Sequence, residues 1–362
     1  MTDFIPGLDL NEQFYGEQIR PLLAEKFPGL LHSAARLGDG SDVLGFDDEM
    51  STDHDWGIRQ QIFLAEADFG EWATAVTQTL SHHLPYQYRG YSVHFGPEDE
   101  EGVRLQADIS TGPVTHMITV ACVPEFFQKH LGIDPTKTWD AVDWLSVPQQ
   151  KLKVMSGGRL FADDLGILKP LQQKLVYFPH EVWLYLLACQ WRRIGQEDHF
   201  LGRTGFLGDD IGSRLLAGRL VHDVMMLGFL YKKVYAPYPK WFGTAFQRLD
   251  CAAALGPILQ NVLTADSWQE RETHLCTAFK LIGEIHNRLQ ITPPLPTGCE
   301  QFHGRPFRIH TGAYVETIRA AITAPDVLTL PPYLGSIDQF SDNTDLRSYP
   351  EMFERLRPLY QT

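Results

Sequence analysis

Cysteine is scarce in this 362-residue chain: Cys122, Cys189, Cys251, Cys276 and Cys299 stand far apart, with no Cys-x-x-Cys spacing. An odd, scattered set argues against a disulfide framework or a cysteine zinc site and fits a reducing, cytoplasmic compartment. Long apolar runs are missing too. The richest stretch, Val182 to Cys189, falls short of the ~18 residues a membrane span needs and reads as a buried helix. The N-terminus, Met-Thr-Asp-Phe-Ile-Pro-Gly, has no basic start and no apolar core, so it is not a signal peptide. Basic residues are outnumbered, 31 Lys and Arg against 45 Asp and Glu, for a net charge of −14. A field of that sign repels a polyanion, which makes nucleic acid a poor partner, and attracts a small cationic substrate. His180, His286 and His303 lack metal-pair spacing. There is no internal repeat and no low-complexity linker.

What is present is the composition of an ordinary globular chain, 44% hydrophobic and 21% charged, with length for two domains. A helix is expected from Leu10 to Lys26. Apolar spacing in Phe69 to His83 predicts another. Tyr86 to Phe95, Val103 to Ile109 and Thr115 to Val123 alternate like strands, and the acidic run Glu98-Asp-Glu-Glu101 reads as a solvated loop. Arg159 to Leu168 reads as strand, turn, strand. From Pro179 the texture becomes helical: His180 to Arg193, Asp209 to Tyr235, Trp241 to Leu263 and Trp268 to Leu289. The last ~60 residues are Pro-rich and aromatic and should wrap onto the body, ending in a short helix at Pro350 to Leu356. The boundary between the two textures falls near residue 175, giving domains 1–175 and 176–362.

The chemistry-bearing segment is Leu37-Gly-Asp-Gly40-Ser41, followed after eleven residues by Asp53-His54-Asp55-Trp56. Glycine lets a phosphate approach the backbone, and serine adds a hydroxyl. Two carboxylates separated by one residue on a strand share a face, a hard anionic site suited to Mg²⁺ carrying a triphosphate. His54, between them, would point the other way. The strand would continue through Ile58 to Leu64.

These residues resemble the signature of the DNA-polymerase-beta-like nucleotidyltransferase superfamily: an apolar lead-in, Gly-Ser, a spacer of this length, then acid-x-acid. Aminoglycoside nucleotidyltransferases and the minimal nucleotidyltransferases of toxin–antitoxin pairs belong to it. The longer string Gly40 to Glu49 with Asp53 to Gly57 also resembles an uncharacterised bacterial family that joins such a head to a helical tail. That tail carries strings like Gly212-Ser-Arg214 and Tyr235-Ala-Pro-Tyr-Pro-Lys-Trp241. The resemblance implies an α+β fold, a nucleotidyltransferase-type mixed sheet with flanking helices followed by a helical bundle-like domain. It also implies Mg²⁺-dependent transfer of a nucleoside monophosphate to a hydroxyl of a small molecule or protein. Gly40 and Ser41 would hold phosphates, and Asp53 and Asp55 the metal.

The superfamily usually has a third carboxylate on a neighbouring strand. Asp108 is the best-placed candidate, since Thr115 to Val123 contains no acid; Glu125 and Asp163 are alternatives. If none serves, the chain binds nucleotide without transferring it, as a catalytically weak or antitoxin-like partner. A metal-dependent phosphohydrolase is a further alternative. Tyr235, Tyr238 and Lys240 form a Pro-stiffened turn offering rings and a cation to the nucleotide. Arg214 is a candidate phosphate ligand; Arg219 and Asp223, four apart on a helix, are expected to pair.

Overall fold

The computed structural model describes residues 4–100 and 102–361. The chain is mixed α+β, rich in helix, and divides into two compact units. The first runs to Thr138 and takes in Lys151–Val176; the second comprises Trp139–Gln150 and everything from Tyr177. Segment 139–150, which the sequence places in the head, therefore groups with the helical unit.

The first unit is built on a four-stranded sheet of order β3-β2-β1-β4, with β1 His32–Arg36, β2 Arg59–Leu64, β3 Met117–Cys122 and β4 Arg159–Asp163. β1 is antiparallel to β2 and β4, and β2 is parallel to β3. The register sets Ala34 beside Ile62, and Gln61 beside Thr119. One face carries Ala34, Ile62, Leu64 and Ile118. They pack with Leu10 and Phe14 of α1 (Gly7–Phe14), Leu23 of α2 (Arg20–Lys26), and Val76 and Leu80 of α3 (Glu66–His83). A π-helical turn, Tyr15–Ile19, joins α1 to α2. The opposite face meets α4 (Val123–Leu131), where the Phe63 and Phe126 rings lie edge to face at 5.2 Å.

Four local expectations change. Asp53, His54 and Asp55 do not lie on a strand. Asp48 and Ser51 form a reciprocal capping box that winds Glu49–Asp53 into a 3₁₀ turn. Asp55 then adopts a left-handed φ of 44° and Gly57 a φ of 123°, so extended chain begins only at Arg59. Tyr86 to Phe95 is a two-residue hairpin, Gln87–Tyr88 with Tyr91–Ser92, turned at Arg89-Gly90, where both φ are positive. Val103 to Ile109 gives only a bridge, Gln106 with Phe95. After β4 the chain turns into a helix, Leu168–Leu175, because the Asp163 carboxylate accepts the N–H groups of Ile167, Leu168 and Lys169.

The second unit contains α5 (His180–Phe206), α6 (Asp210–Lys232), α7 (Pro239–Gln247), α8 (Ala252–Thr264) and α9 (Trp268–Leu289). Caps fix their ends. The Asp209 side chain accepts from Gly212 N–H, and Ser267 with Glu270 forms a capping box. Lys233, left-handed, ends α6 ahead of Pro237. The run expected from Trp241 to Leu263 is two helices, broken by the turn at Arg248–Cys251. The core includes Leu187, Leu220, Leu227 and Ile282, all fully buried. The C-terminal segment wraps onto this unit: Tyr185 Oη donates to Pro331 O at 2.6 Å and Gln339 Nε2 to Leu186 O at 2.9 Å. It ends in 3₁₀ turns, Pro350–Met352 and Glu354–Tyr360. No helix among the described residues is long and apolar enough to cross a membrane.

Candidate functional site

At the end of β1 the chain makes a tight loop, Leu37 to Gly40, before a short helix, Ser41–Leu44. A buried arginine organises it. Arg36 grips Asp42 with two parallel bonds, Nε to Oδ2 at 2.7 Å and Nη2 to Oδ1 at 2.9 Å. The same guanidinium donates to Leu37 O and Asp39 O, so every bend of the loop is tied to one planar cation. Gln61 of β2 accepts the Leu37 N–H at 2.8 Å.

Gly40 sits at φ 155°, ψ 143°, a conformation close to glycine-only space. A Cβ built there would overlap the Asp42 carboxylate and the guanidiniums of both Arg36 and Arg59. Glycine is thus required by the close approach as well as by the backbone.

Arg59 opens β2 and is the second cation. Its N–H donates to Asn11 Oδ1 and its Nη2 to Asp39 O at 2.9 Å, with Asp42 Oδ1 3.7 Å away. Its Nε is buried and has no hydrogen-bond partner. Burial, then repulsion from Arg36, pushes its pKa down to about 10, against attraction from Asp42, Asp55 and Asp39. Asp42 is buried as well; burial would raise its carboxyl, but Arg36 and Arg59 outweigh this and hold it below the ordinary carboxylate range. A buried and a half-buried guanidinium therefore share one buried carboxylate. Asp39, at the exposed outer edge, pairs with Lys151 at 3.0 Å.

Beside this loop lies a cavity of about 420 Å³, bounded by Arg36, Arg59 and Gln61 on one side and by Glu125, Lys129 and His130 of α4 on the other. His130 Nδ1 is 2.8 Å from Phe126 O, which fixes Nδ1 as the protonated nitrogen; burial lowers its pKa, so the ring is neutral at pH 7. Arg36, Arg59 and Lys129 bring positive charge to this cavity and Glu125 opposes it, a lining that can accept an anion; Gly40, Ser41, Asp53 and Asp55 are not among the residues that line it.

The other expected residues fall as follows. Ser41 is half-buried at the loop's exit. Asp53 is exposed and bonded to its own neighbour, His54 Nδ1, at 2.9 Å. Asp55 is half-buried: its Oδ1 accepts Arg104 N–H and its N–H donates to Arg104 O, at 3.1 Å each. Asp108 is exposed and meets Gln87 Nε2 at 3.3 Å. Asp163 is consumed by Ser33 and the helix cap, whereas Glu125 lines the cavity.

Arg214, Tyr238 and Lys240 belong to the helical unit. Arg214 bonds Asp210 one turn away at 2.7 Å. Lys240 is exposed above the Trp241 ring at 5.1 Å. Tyr235 is core, 5.0 Å from the Tyr177 ring, and only Tyr238 presents its ring to solvent. Arg219 and Asp223 do not pair with each other: Arg219 bonds Glu197, and Asp223 accepts from Arg193.

The sequence reading missed Arg36, Arg59 and Lys151. Arg36 and Arg59 flank the Gly-Asp-Gly-Ser loop in sequence, at the end of β1 and the start of β2. No group of three or more His, Cys, Asp or Glu side chains converges to hold a metal among the described residues. An ion here would take one or two protein carboxylates, Asp55 with Asp53, and draw its other ligands from phosphate and water. Mg²⁺ is commonly held that way, but the turn at Asp53–Asp55 does not give these two carboxylates the shared strand face expected from the sequence.

Among known proteins, a family model described as a domain of unknown function, DUF4037, matches residues 144–242. No curated protein matches. The matched stretch runs from Trp144 to Phe242 and so begins after the glycine loop, α4 and both Asp53 and Asp55; it takes in β4 and the first helices of the second unit.

Proposed function

We propose that the chain is an Mg²⁺-dependent nucleotidyltransferase, with the phosphates of a nucleoside triphosphate bound at the loop between β1 and β2. The observation that carries this reading is the cavity beside the Gly-Asp-Gly-Ser loop, walled by Arg36, Arg59 and Lys129. These cations support binding of phosphate oxygens there. Arg36, Arg59 and Lys129 offset the triphosphate's charge from the cavity wall, and Gly40 and Ser41 take the terminal phosphates as the resemblance implies. Asp53 and Asp55 hold the ion, which when bound supplies charge neutralisation at the phosphorus. Glu125, on the cavity wall, is the carboxylate closest in kind to the expected third acid, and it accepts the proton of the attacking hydroxyl. The acceptor is a hydroxyl of a small molecule or a protein.

A second reading has its own support: β3 carries no acid, and no three-carboxylate group forms among the described residues. On that reading the chain binds nucleotide without transferring it. One experiment separates the two. Each α-³²P-labelled triphosphate is incubated with the protein, Mg²⁺ and a metabolite extract, and pyrophosphate and labelled products are resolved. Transfer that disappears in Asp53→Asn and Asp55→Asn supports the enzyme. Calorimetric binding of Mg·ATP with no pyrophosphate in any condition supports the binding protein. Wild-type Mg·ATP affinity in both variants removes these carboxylates from the site.

A further inference from the structure

The helical unit holds a larger cavity of its own, about 730 Å³, within the range that takes a small molecule. α6 contributes a single stripe to its wall, Leu215, Gly218, Arg219, His222 and Met226, spaced as one helix face. Phe242 of α7 stacks on His222, 4.7 Å between centroids and 23° between planes, and the half-exposed Tyr238 ring lies beside it. Gly218 and Gly243, one in each helix, both line the cavity, and a Cβ at either would meet nothing within 4 Å. Glycine in a helix interior is disfavoured relative to alanine, so these two keep the wall open at a cost in helix stability.

The polar lining has a direction. Three guanidiniums face the cavity, each in an ion pair whose acid is the less exposed member. Side-chain exposures are 32% for Arg193 against 2% for Asp223, 58% for Arg219 against 20% for Glu197, and 20% for Arg347 against 8% for Asp338. Asp223 and Glu197 do not line the cavity, so two of the pairs present only their arginines; Asp338 lines it together with Arg347. Arg193 donates through Nε to Asp223 and through Nη1 to Gln339 O, leaving Nη2 uncommitted. Arg347 donates through Nη2 to Asp342 O and holds Nη1 against Asp338, leaving Nε uncommitted. The Asp342 carboxylate, at the exposed rim, is the lining acid without a cation on it.

We propose that this cavity is a binding site for a flat aromatic molecule bearing an anionic group such as a carboxylate. The ring lies along Phe242, His222 and Tyr238, and the anion takes the uncommitted N–H groups of Arg193 and Arg347. The proposal does not rest on the nucleotidyltransferase reading.

The test uses the full-length protein with two probes of one ring and opposite charge, 1-naphthoate and 1-naphthylmethylamine, by ligand-observed NMR and calorimetry. Naphthoate should bind with a Kd of about 1 mM or tighter, and the amine about tenfold more weakly or not at all. Gly218→Leu and Gly243→Leu place a side chain in the opening while raising helix propensity. Each should weaken naphthoate about tenfold with an unchanged circular dichroism spectrum. Arg347→Met should reduce the preference between the probes. Failure of naphthoate to bind, equal binding or a preference for the amine, or undiminished binding in both leucine variants would overturn the proposal.

Discussion

At the scale of single residues the loop after β1 turns on Gly40. Gly40→Ala places a methyl against two guanidiniums and a carboxylate and forces a non-glycine residue to φ 155°. A strain of about 1–3 kcal/mol is expected, relieved by displacing Arg59 or opening the Arg36–Asp42 pair. Thermal unfolding should register that loss, and calorimetry should show Mg·ATP affinity falling more steeply than stability alone explains. A variant with wild-type affinity would mean that phosphate does not approach this backbone. Arg36 and Arg59 were not legible beforehand because a lone arginine in a strand reads as a surface residue. Their role appears only once β1 and β2 pair and bring both guanidiniums onto one loop. The Asp53-His-Asp55 pattern was legible as carboxylates but not as a turn, since the capping box at Asp48 and Ser51 competes with the strand reading and wins.

At the scale of elements, the helical unit is locked by an aromatic network joining α5, α6 and α9 to the helix Tyr314–Ala320. Trp191 stacks on Tyr314 at 3.8 Å and donates to Tyr231 Oη at 2.6 Å; Tyr231 Oη meets His286 Nδ1 at 3.2 Å, and His286 Nε2 meets Thr292 Oγ1 at 2.7 Å. Burial pushes the His286 pKa down to about 4. The unfolded chain titrates near 6.5, so between these values it binds a proton that the folded chain refuses. Stability from this group is full above about pH 6.5 and is lost as pH falls toward 4, by about 3 kcal/mol at most. His286→Gln, which retains two hydrogen-bonding ends, should flatten the decline in melting temperature between pH 6.5 and 4.5. An unchanged slope would assign the acid sensitivity to other groups. The long helices were legible from period and caps: Ser267 with Glu270 and Asp209 before α6 are local signals that tertiary packing did not override. The short strands were less so, because hairpin and bridge pairing in 86–109 depends on partners remote in sequence.

For the whole molecule, the question is how a chain of net charge −14 would hold a triphosphate. Its long-range field opposes the ligand, and only local cations can reverse that. The sequence points to Lys240 as the needed charge; on the reading proposed here the first unit would supply its own, Arg59, with 16% of its side chain exposed, beside Arg36 and Lys151. A cation out of solvent is screened little, whereas Lys240 stands exposed in water, where salt screens it within about 8 Å. Arg59→Met should therefore weaken triphosphate binding about tenfold or more, and monophosphate binding less, with a loss that persists at high salt. Lys240→Met should change either affinity little, and any effect should vanish as salt rises. Raising salt should also relieve the general repulsion, so wild-type affinity should fall less steeply than a surface-bound tetra-anion would require. Calorimetry at two ionic strengths measures all three quantities. A large, salt-sensitive loss in Lys240→Met with none in Arg59→Met would return the charge clamp to the helical unit and leave Arg36 and Arg59 as scaffolding for the loop.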